Sequence, residues 1–110
     1  MQQSASTQNL QDMVQENLQN QPDTTFLDLQ DQEIENLSVI MDSLSKFEYL
    51  EELNLSNNQL QGLPANLSSL KTVANLNLQN IAFDDFEKSV QSIATLPALR
   101  SLYINLQTED

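Results

Sequence analysis

The sequence predicts an α/β fold in which one supersecondary unit recurs about four times and builds a short solenoid. A pair of aliphatic residues, separated by one residue, returns along the chain at steps of 26, 23 and 26 residues. Recurrence at a period of about 20–50 residues is typical of solenoids. Apolar residues at helical spacing lie between the pairs, so strands are expected to alternate with helices. The pairs are Leu27 and Leu29, Leu53 and Leu55, Leu76 and Leu78, and Leu102 and Ile104.

One copy carries a complete repeat motif. Residues 50–60 have the sequence LEELNLSNNQL, which fits the pattern L-x-x-L-x-L-x-x-N-x-L at every specified position. The chain therefore resembles the leucine-rich repeat superfamily, in its short intracellular type, over about residues 24–106. The resemblance implies a right-handed solenoid of about four turns with a concave parallel sheet, to which each repeat supplies one short strand. It implies a repeat domain over residues 24–110, with repeats near 24–49, 50–72, 73–98 and 99–110, the last incomplete.

The residues before the first repeat predict a capping helix. Residues 1–6 have few apolar side chains and are expected to be disordered. Residues 7–23 are expected to form a helix and a linker, with Thr7 as the N-cap and Pro22 in the break that follows. The first turn of a solenoid exposes its core, so the helix is expected to cover that core rather than to bind a membrane or a partner. Its apolar stripe is Leu10, Met13, Val14 and Leu18.

The segments that follow the first three strands differ in their predicted path. The first has an apolar stripe that predicts a helix of about three turns. The second contains Gly62 and Pro64, which favour an irregular path over a helix. The third begins with Asp84 and Asp85, which indicate a capped helix start. The stripe of the first segment is Leu37, Ile40, Met41, Leu44 and Phe47, and that of the third is Phe86, Val90, Ile93 and Ala94.

Asn58 occupies the asparagine position of the repeat. The resemblance implies that its amide bonds to backbone groups along the turn, and an amide suits that role because it both donates and accepts. The first repeat has Gln32 at this position, which can substitute chemically but is one methylene longer. The third repeat has Ile81, which cannot satisfy backbone amides, so the turn after Leu78 is expected to be rebuilt locally.

The charge balance limits the class of partner. The chain has 16 acidic and 4 basic side chains and a formal net charge of −12. Such a field favours basic partners and argues against nucleic acid and anionic membranes. No apolar run approaches membrane-spanning length and no signal peptide is visible, so a cytoplasmic protein is expected.

Catalytic chemistry is weakly represented in the sequence. Cysteine and histidine are absent, which removes thiolate chemistry, the usual general base and the commonest metal ligands. No catalytic residue, metal or cofactor is therefore expected. A carboxylate-based enzyme is the remote alternative, but acids at a helix cap or an exposed strand approach share one solvated environment. The acidic clusters are Asp84, Asp85 and Glu87, and Glu48, Glu51 and Glu52.

The strand pattern selects the candidate binding residues. Alternate residues of a strand point to opposite faces, so the residues beside the buried leucines point outward. We expect aromatic side chains to anchor a protein partner, acidic ones to select its basic segment, and amides to bond to its backbone. The predicted role is non-enzymatic binding as an adaptor or scaffold subunit. The candidates are Phe26, Asp28, Asp31, Glu52, Asn54, Asn57, Asn75, Asn77, Arg100 and Tyr103.

The fourth repeat departs from the motif. Gln107 and Glu109 stand at its ninth and eleventh positions. A last strand without a polar cap leaves a sheet edge and leucines open to water. We therefore expect this end to be covered by more chain, by a partner or by self-association. The alternative function is a structural subunit of a larger assembly, such as a cytoskeletal or axonemal one, docked through this end.

Overall fold

A computed structural model describes the backbone of residues 2–104 and the side chains of residues 10–104. Its helices are α1 (Gln2–Asn20), α2 (Ser38–Leu44) and α3 (Phe86–Ile93). Its strands are β1 (Phe26–Asp28), β2 (Glu52–Asn54), β3 (Asn75–Leu78) and β4 (Ser101–Ile104). The α/β class predicted from the sequence is therefore confirmed. Residues 105–110, which include the expected open end, lie outside the described part.

The four strands form one parallel sheet whose spatial order, β1-β2-β3-β4, is also the order along the chain. Leu27 pairs with Leu53, Leu53 with Leu76, and Leu76 with Leu102. The hydrogen bonding continues past the strands, since the backbone N–H of Leu55 donates to the Asn77 carbonyl over 2.8 Å. Because the first leucine of each pair is aligned across the sheet, the residues on either side of it are aligned too.

The inward face of the sheet is aliphatic. Both leucines of each of the first three pairs are buried, and four leucines from the segments on either side of β2 join them. Burying a side chain of this size contributes about 1.5–3 kcal/mol to folding. The segment between β2 and β3 contains neither helix nor strand, as Gly62 and Pro64 predict. The four added leucines are Leu50, Leu60, Leu67 and Leu70.

Helix α1 packs on α2 through its apolar stripe and through two amides. Gln11 Nε2 donates to the Val39 carbonyl over 3.1 Å, and Gln15 Nε2 donates to Ser43 Oγ over 3.0 Å. Such bonds hold the helix in one orientation, which apolar contact alone does not. The stripe side chains that contact the core are Leu10, Met13, Val14 and Leu18.

The start of α1 differs from the prediction. The helix begins at Gln2, so residues 2–6, expected to be disordered, lie within it. Glutamine, serine and alanine contain no helix breaker, and a helix that is already docked extends at little cost. Thr7, the predicted cap, lies within the helix and not before it, and its side chain, like Met1, lies outside the described part.

Helix α2 is shorter than predicted. It has 7 residues, about two turns rather than three. Its end is closed by bonds to the third residue back, from Lys46 N to Ser43 O over 3.1 Å and from Phe47 N to Leu44 O over 3.3 Å. Such bonds tighten the last turn and stop the helix. Phe47 is buried all the same.

Helix α3 starts as predicted but buries a different face. Asp85 caps it, its carboxylate accepting from Lys88 N over 3.1 Å. Of the predicted stripe, Ile93 is buried but Val90 is 44% exposed. The helix instead turns Ser89 and Ser92 inward. Small side chains let a helix approach the core closely, and the Ser89 hydroxyl is satisfied by the Asp85 carbonyl over 3.1 Å.

Candidate functional site

Two rows of side chains cross the outward face of the sheet. The strand register aligns them, because each row stands one residue from the aligned leucines. The rows bring together seven of the ten predicted binding residues and leave out Asp31, Asn57 and Arg100. The Phe26 row is Phe26, Glu52, Asn75 and Ser101. The Asp28 row is Asp28, Asn54, Asn77 and Tyr103.

A shallow cavity of about 80 Å³ lies between the two rows. A single water molecule needs roughly 10–15 Å³, so this cavity admits a few waters or the end of one side chain. Phe26 is 49% exposed and Tyr103 is 55% exposed at its border. Both rings therefore remain available to a partner. The cavity is lined by Phe26, Glu52, Leu53, Asn54, Asn75, Leu76, Asn77 and Tyr103.

The first three side chains of the Asp28 row make the same local hydrogen bond. Each accepts, through Oδ1, the backbone N–H of the residue two positions later. This Asx turn ends the strand and gives the residue a structural role in addition to any role in binding. The distances are 3.1 Å from Gln30 N to Asp28, 3.0 Å from Ser56 N to Asn54, and 3.0 Å from Gln79 N to Asn77.

Two predicted binding residues instead occupy special backbone positions. Asp31 and Asn57 have φ values of 59° and 58°, in the left-handed region, and Asn80 has the same conformation at 59°. Aspartate and asparagine adopt this region more readily than other residues with a side chain. Neither Asp31 nor Asn57 lines the cavity. Their identity is explained by the turns after β1 and β2.

Arg100 also stands apart from the cavity. It precedes β4, is exposed, and its backbone N–H donates to the Ala74 carbonyl over 2.7 Å. The two rows contain carboxylates, amides, hydroxyls and aromatic rings but no basic side chain. The face is therefore acidic where Asp28 and Glu52 lie and neutral beyond them.

Asn58 joins the turn after β2 to the turn after β1. It is only 5% exposed, and its amide bonds to backbone groups on both turns. These are bonds of the kind expected for this side chain. Asn58 Nδ2 donates to the carbonyls of Leu29 (2.9 Å), Leu55 (2.9 Å) and Ser56 (3.2 Å), and its Oδ1 accepts from the N–H groups of Gln32 (2.9 Å) and Ile34 (3.1 Å).

The two departures from the asparagine position behave differently from Asn58. Gln32 is exposed and donates through Nε2 to the Gln30 carbonyl over 3.2 Å, so its amide does not enter the core. Ile81 is buried, and the preceding residue, Asn80, keeps the left-handed conformation found after β1 and β2.

A second cavity, of about 440 Å³, lies away from the outward face, between the segments that lead into β2 and β3. Residue spacing does not predict this cavity, because only the pairing of β2 with β3 brings these segments together. Two of the four basic side chains of the sequence, Lys46 and Lys71, lie in these segments. Lys46 is already paired with Asp42 over 3.4 Å. The cavity is lined by residues 44–48 and 69–73, together with Leu50.

The acidic clusters of the sequence do not form an ion site. Glu48, Glu51 and Glu52 are exposed, as are Asp84, Asp85 and Glu87. Within residues 2–104 no group of three or more carboxylates is placed to hold a metal ion. No helix in that same part of the chain combines the length and the apolar character needed to cross a membrane.

Two comparisons were made, one with protein-family models and one with curated proteins. No protein-family model matches the chain. The curated proteins likewise include no match. Any functional conclusion therefore depends on the residues and the geometry themselves.

Proposed function

We propose that this chain is a cytoplasmic protein-binding module of the leucine-rich repeat type, an adaptor or scaffold subunit that holds an extended basic segment on its outward sheet face. The observation that carries the proposal is the pair of aligned rows, a continuous polar surface with an exposed aromatic ring at either side. A partner segment lying across the strands contacts both rows at once. The interaction is non-covalent and uses no cofactor.

The repeat assignment is supported by alignment and by one side chain. Equivalent leucines pair strand to strand at steps of 23–26 residues along the chain. Asn58 bonds to backbone on two successive turns. A right-handed solenoid with a concave sheet accounts for both features, because each turn then stacks on the one before it.

The basic character of the partner is inferred from charge. Asp28 and Glu52 lie on neighbouring strands next to the exposed ring of Phe26. An ammonium or guanidinium group over that ring gains a cation–π contact in addition to two carboxylates. The net charge of −12 raises the rate at which cationic segments reach the face.

A binding role fits this surface better than catalysis. The carboxylates are exposed and solvated, and the cavity between the rows is too small and shallow to enclose a substrate. Active sites ordinarily exclude water and hold acid–base groups in contrasting environments. Neither condition is met on the outward face.

The test is a charge reversal with a matched control. A fluorescent ten-residue peptide of alternating lysine and threonine is titrated with the chain, and binding is followed by anisotropy. We expect Asp28→Lys combined with Glu52→Lys to weaken binding by about tenfold or more, because interfacial charge pairs of this kind contribute over about 1.4 kcal/mol.

The control variant carries Glu16→Lys and Glu35→Lys, two exposed sites off the sheet with the same change in net charge. It is expected to weaken binding by less than about threefold, because long-range charge is screened by salt. Equal losses in the two variants would mean that net charge alone attracts the peptide, and the proposed face would be wrong.

An alternative function is favoured by one observation on β4. Leu102 is 37% exposed, whereas its register partner Leu76 is buried. In the described residues β4 pairs on one side only, with β3. A structural subunit that docks through β4 would cover both features. Sedimentation velocity tests whether β4 associates with a second copy of the chain.

A further inference from the structure

We infer that the outward face recognises the main chain of its partner through carbonyl oxygens, because the amide oxygens of Asn54 and Asn77 are bonded to the backbone and their amide nitrogens are left as donors. This inference rests on the proposed function and adds the polarity of the contact to it. The two residues face each other on β2 and β3 and both line the cavity.

The orientation of these amides follows from the donor that each one meets. The backbone N–H groups of Ser56 and Gln79 can only donate, so the atom that bonds to each must be a side-chain oxygen. The side-chain amide is planar, so fixing its oxygen also fixes the direction of its nitrogen, which diverges from the oxygen at their shared carbon. At Asn54 the oxygen is held twice, since Ser56 Oγ also donates to it over 2.7 Å.

The two nitrogens are left as paired donors. Among the described residues, no hydrogen bond from Asn54 Nδ2 or Asn77 Nδ2 to an acceptor of the chain is seen, while both side chains remain partly exposed. The strands are about 4.8 Å apart, and carbonyl oxygens on one side of an extended segment recur about every 6.6 Å, a spacing that two diverging side-chain amides can reach. Carbonyl oxygens of an extended segment are neutral acceptors, and they do not add negative charge to an acidic face.

The Asp28 row therefore has a chemical direction. Asp28 makes the same bond to its own strand, over 3.1 Å, but carries a carboxylate oxygen where Asn54 and Asn77 carry nitrogen. The row thus runs from an anionic acceptor on β1, through two donors, to the phenol of Tyr103 on β4. The segment that fits places its cationic side chain over β1 and its carbonyls over β2 and β3.

The test replaces the donors without removing the oxygens. Asn54→Asp with Asn77→Asp keeps each Asx bond, since Asp28 already makes that bond as an aspartate. The lysine–threonine peptide is again the probe. Attraction by charge alone predicts tighter binding, because two negative charges are added. Recognition through carbonyls predicts binding weaker by about tenfold, the loss expected when two hydrogen bonds to the peptide are removed.

A matched control lies off the sheet. Asn36 and Asn66 are exposed and make the same local bond, to Ser38 N over 2.9 Å and to Ser68 N over 2.8 Å. Asn36→Asp with Asn66→Asp therefore makes the same chemical change away from the face. It is expected to leave peptide affinity within about twofold of the parent or slightly tighter, since distant charges are screened.

The outcomes separate the two ideas. If Asp28→Lys with Glu52→Lys weakens binding while the Asn54 and Asn77 variant binds as tightly as its control or tighter, the proposed function stands and this inference is overturned. If neither double variant changes binding, the proposed function is wrong, and this inference is wrong with it. Circular dichroism checks the fold of each variant. Should the double variant unfold, Asn77→Asp alone decides, because the Asn77 oxygen accepts one bond and lies farther from Asp28.

Discussion

Asn58 is a polar side chain surrounded by aliphatic ones, and five backbone groups depend on it. Two of them are the N–H groups of Gln32 and Ile34, which meet the single oxygen of the amide. A buried backbone group without a partner costs about 1–3 kcal/mol. The motif singles out Asn58 in the sequence, but its partners, up to 29 residues away, are defined by the stacking of the turns.

We predict that Asn58→Leu lowers the free energy of unfolding by about 3 kcal/mol or more, because leucine has a similar volume but can neither donate nor accept. Urea denaturation followed by circular dichroism measures the change. Gln59→Leu, at the exposed neighbouring position, is the control and should shift stability by less than about 0.5 kcal/mol. Equal stability of the two variants would remove the structural role assigned to the amide.

Three other residues have a different place in the structure from the one predicted for them. Asp31 and Asn57 were predicted at the binding rim, yet the left-handed backbone of their turns already accounts for an aspartate or an asparagine there. The repeated Asx residue after each of the first three strands was a signal for that conformation. Gln32, by contrast, looks in sequence like a replacement for asparagine and is exposed in the structure. A pattern of residue classes does not show that the Gln32 amide bonds to the Gln30 carbonyl within its own turn.

The two short helices, α2 and α3, depend on the rest of the molecule for their stability. Helices α2 and α3 have 7 and 8 residues, too few to persist alone in water. Their buried side chains pack in the shared core and hold both in place, and a side-chain cap is added at α3. Asp85 caps α3 from an extended conformation, with its carboxylate on Lys88 N. Its neighbour Asp84 is equally acidic and exposed but is not the cap.

We predict that Asp85→Ala lowers the free energy of unfolding by about 1 kcal/mol, the usual effect of removing a capping side chain. Asp84→Ala removes the same charge one residue earlier and should cost less than about half as much. Thermal unfolding of both variants under identical buffer conditions makes the comparison. A larger loss for Asp84→Ala would assign the helix start to the wrong aspartate.

The molecule as a whole has one sheet whose two faces differ in character and whose β4 side carries a partly exposed leucine. Leu102 has the register of the buried Leu76 but not its burial. Exposed strand edges with aliphatic side chains pair with other chains unless they are protected. This feature bears on assembly, whereas the two polar rows bear on recognition.

We predict that the chain associates with increasing concentration in sedimentation velocity, because a second copy can cover β4. Leu102→Lys should shift the distribution toward monomer, since a charged side chain protects a strand edge. Val90→Lys is the control, placing the same residue at an exposed site on α3. A chain that remains monomeric at high concentration would exclude self-association through β4.

The spacing of the strands and the leucines that form the core can be predicted from the sequence alone. Each of these depends on neighbours a few positions apart, where the period of a strand or a helix dictates which side is buried. Three features required the folded structure. They are the bonded atoms of the Asn54 and Asn77 amides, the buried face of α3, and the cavity that two distant segments line beside Lys46 and Lys71. The last two of these features depend on contacts between atoms that are far apart along the chain. Residue spacing does not predict how atoms are oriented toward one another.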